Sequence, residues 1–423
     1  MGNSISPFKG LRNKTNESNH VEYCAALGKK GGQKNQTKEP KDAGKASKDA
    51  KPYAKGSKKN PAMEGIEKIV ESKHVKNTNM FQAQDVLFKT SQVMIEPTGK
   101  IGIPPGYRST PEITKTSALG QNAHLFAGFS CMQGWKETQE DVPVRLLALS
   151  EDKKASYFAV FDGHRGSKVS AGLGKAMHKY ICQNQYYKAG KYEDAITEGF
   201  LTCDADLRNI EALKEHMCGS TACVCLLKNN CEDIYVGNAG DSRIFYCADG
   251  KAIALSDDHK PFKPIEKARI EKAGGFVQNG RVNGRLAVAR SMGDFDYKAD
   301  TSKNQTEQLI TSNPDVISRK VTDDWDFIML GSDGIFDVLT NQEVANFIMS
   351  GIAEGHRPDK ICENLMSHCM AEFLGQPGGS HDNMTVILAC FLHNRTYEDL
   401  IQKCKKWAER NEKESITATT IGK

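Results

Sequence analysis

"YFAVFDGHRG", residues 157–166, runs five largely apolar residues straight into Asp162, Gly163 and His164. The apolar run reads as a buried β-strand. The Asp-Gly step that ends it reads first as a chain reversal, because Gly accepts a positive φ and Asp can hydrogen-bond its own backbone. The stretch has a counterpart in "DFIMLGSDGIFD" (326–337), where a second strand-length run breaks at Asp333-Gly334. A third carboxylate, Asp382 in "GGSHDNMTVILACF" (378–391), precedes a strand instead of following one. In an antiparallel sheet the end of one strand lies beside the start of its neighbour. Asp162, Asp333 and Asp382 are therefore expected to share one edge of a sheet sandwich.

Apolar runs of strand length recur at 156–161, 221–227, 233–237, 243–247, 286–289, 326–330 and 385–391. Several follow one another without an intervening helix, notably over 221–256, which predicts antiparallel sheets with helices packed outside. Helical spacing joins Val169, Leu173, Met177 and Ile181, and again Ile361, Leu365, Cys369 and Phe373. The expected class is α+β.

The 423 residues are 39% hydrophobic, enough to bury a large core. The net charge of +4 hides an asymmetry, since residues 1–60 carry 14 Lys/Arg against 5 Asp/Glu and leave −5 for the rest. Residues 1–60 hold too few apolar side chains to offset the entropy of ordering and are expected to be a disordered basic tail. Residues 61–120 read as a linker or wrap-around extension, 121–395 as the folded domain, and 396–423 as a charged surface helix or tail. The longest apolar run, about "VILACFL" at 386–392, is too short to span a bilayer. The thirteen cysteines lie scattered, mostly in apolar segments and never as Cys-x-x-Cys, so they read as reduced, buried thiols of an intracellular protein and not as a zinc site.

Three carboxylates held side by side cannot all stay ionised without a compensating cation. All-oxygen ligands with no cysteine or histidine pair favour Mg²⁺ or Mn²⁺ over zinc. Two such ions, about 3.5–4 Å apart and bridged by a carboxylate and a water, would make a nucleophile at neutral pH and neutralise a phosphoryl oxygen. That chemistry belongs to a metal-dependent phosphatase. The alternative is that both Asp-Gly steps are ordinary turns.

The chain resembles the metal-dependent serine/threonine protein phosphatases of type 2C. The resemblance runs collinearly through "MQGWKETQEDVPV" (132–144), "FAVFDGHRGSKVS" (158–170), "CGSTACVCLL" (218–227), "VGNAGDSRIFYC" (236–247), "LSDDHKP" (255–261), "EKARIEKAGGFV" (266–277), "VNGRLAVARSMGDFDYK" (282–298), "GSDGIFDVL" (331–339) and "HDNMTVILACF" (381–391). It implies a sandwich of two antiparallel β-sheets flanked by α-helices, with a two-metal site at one end and phosphoproteins as substrates. By matching motifs, Asp162 resembles the carboxylate that bridges both ions, and Gly163 the residue offering its carbonyl to one. Asp333 and Asp382 resemble ligands of the other ion, and Asp258 a ligand of a third, weaker one. Glu140 and Asp141 match an acidic pair that holds metal-bound waters and orients His164, which resembles the general acid for the leaving serine or threonine oxygen. "NAGDSR" reads as a structural turn joining strands, the alternative being that Asp241 and Arg243 pair inside the sandwich. "NGRLAVARSMGDFDYK" matches the region near a variable flap.

Two positions depart from the family pattern. Lys136 stands where the family usually has an Arg that grips the substrate phosphate, so a bidentate fork becomes a single ammonium. Arg165 stands where the family has Gly, which implies either a strained turn or a second phosphate ligand that partly replaces the guanidinium lost at 136. These departures motivate the competing reading, a catalytically weak relative that scaffolds phosphoproteins at membranes.

"MGNSIS" fits an N-myristoylation signal, with Gly2 exposed once Met1 is removed. One acyl chain anchors only marginally. The lysines at 29–59 supply a second, electrostatic signal for anionic lipid, with Cys24 a weaker candidate for palmitoylation. The expected location is the cytoplasmic face of a membrane, with a cytosolic pool. Few aromatics interleave the lysines, so no nucleic-acid partner is expected. Spacing is silent on assembly.

Overall fold

The computed structural model describes residues 22–23, 94–95, 101–214 and 217–421. The basic tail, with Gly2, Cys24 and the lysines at 29–59, lies outside these residues apart from the short strand Glu22–Tyr23.

The longer strands run β1 (Tyr107–Gln121), β2 (Leu125–Lys136), β3 (Val142–Leu146), β4 (Ser156–Phe161), β5 (Ala222–Lys228) and β6 (Asp233–Ala239). After these come β7 (Arg243–Ala248), β8 (Lys251–Ala254), β9 (Asp315–Lys320), β10 (Trp325–Gly331) and β11 (Met384–Phe391). One sheet has the order β3-β4-β5-β6-β9, with Glu22–Tyr23 paired on the free edge of β3. The other has the order β8-β7-β10-β11-β2-β1. Every pairing in both is antiparallel.

The strands read as unbroken apolar runs because both of their faces are covered. Phe158 and Val160 of β4, Cys223 and Cys225 of β5, Ile328 and Leu330 of β10, and Ile387 and Ala389 of β11 meet between the sheets. Their neighbours at odd steps point outward. Tyr157, Ala159 and Phe161 pack under helices α1 (Lys168–Cys182) and α2 (Tyr192–Leu207). Phe327, Met329, Val386 and Leu388 pack under α4 (Asn341–Ala353) and α5 (Pro358–Cys369). Each such Leu, Ile or Phe contributes roughly 1.5–3 kcal/mol of transfer free energy, so the four-layer stack holds its strand ends rigidly.

Two expectations change. Residues 286–289 form no strand: only a single bridge joins Val282 and Leu286. Leu286, Val288 and Ala289 instead fill a satellite core with Ile270 of α3 (Pro264–Lys272), Tyr297 and Ile310. Phe373 falls beyond the end of α5 and is exposed, because the helix stops at Cys369. β1 lies within the stretch read as a linker or extension and pairs along β2. The C-terminal α6 (Tyr397–Ile421) is docked, with Leu400, Ile401 and Cys404 buried and the Cys404 thiol 3.6 Å from Met349 of α4. No disulfide joins the twelve described cysteines, and no described helix is long and apolar enough to cross a membrane.

Candidate active site

The two Asp-Gly steps are not positive-φ turns: neither Gly163 nor Gly334 has a positive φ. Glycine is required there by close approach. A Cβ on Gly163 would lie 2.5 Å from the Glu140 carbonyl oxygen, and one on Gly334 would lie 2.2 Å from the Asn383 carbonyl oxygen. The strand ends are thus pressed against the loop carrying the acidic pair and the loop before β11. Asn383 binds these loops together: its side-chain amide donates to the carbonyls of Gln133 and Thr138, and its Oδ1 accepts from the Glu140 amide at 2.9 Å. Asp162 is fixed across the sheet, its N–H donating to Thr221 Oγ1 and its carbonyl accepting from the Thr221 N–H at 2.8 Å.

Asp162, Asp333 and Asp382 come to one end of the sandwich, as the strand-edge argument expects, together with Asp141. Asp241 and Asp337 join them. Burial first, then the charges of Asp141, Asp333, Asp382 and Asp241, push the Asp162 carboxyl well above the usual range. Asp333 is pushed well above it too, by burial and by Asp241, Asp382 and Asp337. Asp141 is pushed up to about 6 by burial and by Asp382, against the pull of the nearby Ser332 and Thr385 hydroxyls and of Asp162. Both oxygens of Asp141 and Oδ1 of Asp333 are buried without a completed hydrogen bond.

Two lysines reach this group. Lys136 lies 2.8 Å from Asp382 and Lys260 lies 2.6 Å from Asp241. Burial alone would lower Lys136, but Asp382 and the Tyr107 hydroxyl hold it above its ordinary value, and Tyr107 lies with its ring centroid 5.8 Å from the ammonium.

A surplus of buried carboxylate over cation, with orphaned oxygens, fits hard divalent ions. No three described His, Cys, Asp or Glu side chains already close on a common point. Glu140 sits at the rim, its Oε1 accepting from Thr138 Oγ1 at 2.9 Å.

Four expectations are corrected. Asp258 is no part of the cluster's unpaired charge: Arg243 grips it with a fork, Nε to Oδ1 at 2.9 Å and Nη2 to Oδ2 at 2.8 Å. The alternative pairing of Asp241 with Arg243 is not formed, since Arg243 holds Asp258 and Asp241 pairs with Lys260. The carboxylates that act on Asp333 are Asp241, in the β6–β7 turn, and Asp337, one helical turn after Asp333. Position offered a signal for both: one lies in a turn next to a strand end, and the other at i+4 from an assigned ligand.

His164 is oriented by Asp294, not by Asp141. Its Nε2 lies 2.7 Å from Asp294 Oδ2. Arg165 does not point at a phosphate: its guanidinium holds Asp294 Oδ1 and reaches Asp296 at 3.2 Å. It adopts φ 58°, so the family's glycine position is indeed left-handed backbone here, occupied by a residue that rarely takes it. Asp294 stands in "SMGDFDY" (291–297), a segment assigned to the flap region, and nothing in sequence spacing links it to His164 130 residues earlier.

The protein phosphatase 2C family profile matches residues 126–375. A probable protein phosphatase 2C of Caenorhabditis elegans is 44% identical over 298 residues, spanning 70% of this chain and 83% of that one. Protein phosphatase 2C homolog 2 of Schizosaccharomyces pombe is 39% identical over 295 residues, 69% of this chain and 80% of that one. Among solved structures, a phosphatase from Toxoplasma gondii matches with a TM-score of 0.57 at 22% identity, over 67% of this chain and 96% of that one, a likeness of fold. With antiparallel sandwich, crowded carboxylates and relatives in agreement, the chain belongs to the protein phosphatase 2C family and is a protein phosphatase.

Proposed function

We propose that the chain is a Mg²⁺- or Mn²⁺-dependent protein serine/threonine phosphatase that hydrolyses phosphoserine and phosphothreonine by direct attack of water on phosphorus. The observation that carries this reading is the crowding of Asp141, Asp162 and Asp333 at one end of the sandwich, with both oxygens of Asp141 and Oδ1 of Asp333 buried and unpartnered. Asp162, the Gly163 carbonyl, Asp333 and Asp382 would hold two ions, with Glu140 reaching them through water and Asp241 and Asp337 serving a third, weaker one beside Asp333. When bound, the ions supply a water that loses its proton near neutral pH and they neutralise developing charge on phosphoryl oxygens.

The chain's own residues do the rest. Lys136 presents one ammonium to the phosphate, held by Asp382 at 2.8 Å with the Tyr107 ring centroid 5.8 Å from it. His164 gives a proton to the leaving serine or threonine oxygen, which would otherwise depart as a strongly basic alkoxide. The test is hydrolysis of a phosphoserine peptide with added Mn²⁺ or Mg²⁺. Activity should vanish with chelator and in Asp162→Ala; metal-independent turnover overturns the metal reading. No turnover at all would favour the scaffold reading.

For the N-terminus we propose a membrane tether built from acylated Gly2 and the lysines at 29–59. Gly2→Ala should move the protein from the membrane to the soluble fraction, and an unchanged partition removes the proposal.

A further inference from the structure

The strongest unassigned feature is the buried Asp294. Its carboxylate is fully enclosed, yet it lies outside the crowded carboxylates, and its neighbours are all donors. Oδ2 accepts from His164 Nε2 at 2.7 Å and from the Ser291 hydroxyl, while Oδ1 is held by Arg165. Burial alone would raise this carboxyl, but His164 and Arg165 keep it well below the usual carboxylate range, so it is an anion under the histidine.

The backbone is built to put it there. Gly163–His164, Gly219–Ser220 and Met292–Gly293 form a three-stranded patch that joins the Asp162 loop to the segment carrying Asp294. Asp294 takes a left-handed conformation at φ 52°, ψ 45°, uncommon for a side chain other than Asn or Asp. Gly219 leaves the space the carboxylate occupies, since a Cβ there would lie 2.2 Å from Asp294 Oδ2. Arg165 bears on Asp294 from the other side, also contacting Asp296 and lying 5.6 Å from the Tyr297 ring centroid. Two residues in left-handed backbone thus converge on one contact, and strain of that kind persists only where the surroundings over-determine it.

We infer that Asp294, clamped by Arg165, is the positioning residue of the general acid: it fixes the His164 ring so that Nδ1 faces the leaving oxygen. With Asp294 accepting at Nε2, Nδ1 is the nitrogen left to give a proton. As the P–O bond breaks, its electron pair goes to the serine or threonine oxygen. That oxygen takes the proton from Nδ1, and a neutral imidazole remains with its Nε2–H still on Asp294. Arg165 therefore acts through Asp294 and not on the phosphate. The inference rests on His164 being the general acid.

The experiment compares kcat/KM for a phosphoserine peptide, whose alkoxide needs a proton, with that for p-nitrophenyl phosphate, whose phenolate does not. The parent, His164→Ala, Asp294→Asn, Arg165→Gly and the His164→Ala/Asp294→Asn double variant are assayed with Mn²⁺. Asp294→Asn should lose about 10–100-fold on the peptide, the range for residues that orient a reacting group, and less than about 3-fold on the aryl phosphate. The double variant should be no worse on the peptide than His164→Ala, as for residues acting as a unit. Arg165→Gly, at a part-exposed site that spares the core, should show the same selectivity at a smaller size. Equal losses on both substrates for Asp294→Asn, or multiplying losses in the double variant, overturn the inference while leaving His164 as the acid. A KM rise on both substrates in Arg165→Gly overturns the clamp in favour of a phosphate ligand. An even loss in His164→Ala itself sinks the general-acid reading and the inference with it.

Discussion

Asp162, half-buried at the end of β4, and Asp294, fully buried in the segment across from His164, are driven in opposite directions by their neighbours. Around Asp162 stand Asp141, Asp333, Asp382 and Asp241, and its carboxyl is driven up. Around Asp294 stand His164, Arg165 and Ser291, and its carboxyl is driven down. Burial disfavours the charged form in both places, so the partners decide the sign. The first region holds more negative charge than its two lysines offset. The second is complete as the chain folds it, which is what an orienting group needs.

This contrast makes the two regions respond oppositely to the same kind of substitution. Asp333→Asn should cut phosphatase activity by more than about 100-fold, beyond the loss typical of an outer-shell partner. It should also raise the Tm of the metal-free protein by about 2–4 °C, as removing like-charge repulsion worth ~1 kcal/mol does in a large domain. Asp294→Ala should instead lower Tm, because it removes the charged hydrogen-bond partner of the part-exposed Arg165 and His164 at a cost of ~1–3 kcal/mol. Calorimetry in chelator checks both signs, and a Tm that falls in Asp333→Asn would show the cluster is not repulsive.

Stability against pH divides the regions next. The folded pKa of Asp141 stands at about 6, above the unfolded value near 3.9. Its contribution is full below about pH 4 and is lost as pH rises through about 6, on the order of 2–3 kcal/mol. Asp162 and Asp333 extend the same loss to higher pH. Asp294 has the opposite sign: its contribution is present above about pH 4 and lost as pH falls below it. The Tm of the parent relative to that of Asp141→Asn, followed from pH 4 to 8 in chelator, should therefore fall with pH, and Mn²⁺ should flatten the difference. A flat difference without metal would refute the charge-crowding account.

The smallest effect is expected at the phosphate contact. Lys136→Arg should lower KM for a phosphopeptide a few-fold, with kcat nearly unchanged, because a planar fork grips phosphate at two points where an ammonium grips at one. Steady-state kinetics on the two proteins measures it.

Much of the fold was legible because covered strands announce themselves as unbroken apolar runs, as in "SYFAVF" and "MTVILACF". β2 and β3 were harder to see. "LFAGFSCMQGWK" is broken by glycines and "VPVRL" carries a proline, yet their pairing with β11 and β4 overrides local preference. The run at 286–289 misled for the converse reason: its apolar side chains fill a small satellite core, and only Leu286 finds a strand partner, through one bridge to Val282.

Sequence alone determined that three distant aspartates end or begin buried strands; antiparallel pairing of β10 with β11 sets Asp333 beside Asp382, whereas Asp162, on β4 of the other sheet, meets them only because the two sheets stack. Only the tertiary structure decided which other charges join them. Asp258 is neutralised by a neighbour fifteen residues away, while Asp241 and Asp337 stand with Asp333 in the crowded cluster. Only the tertiary structure showed that His164 leans on Asp294. Strand periodicity is written in nearest neighbours along the chain, whereas the charge state of a buried group depends on which side chains the folded layers press against it, and those come from anywhere in the sequence.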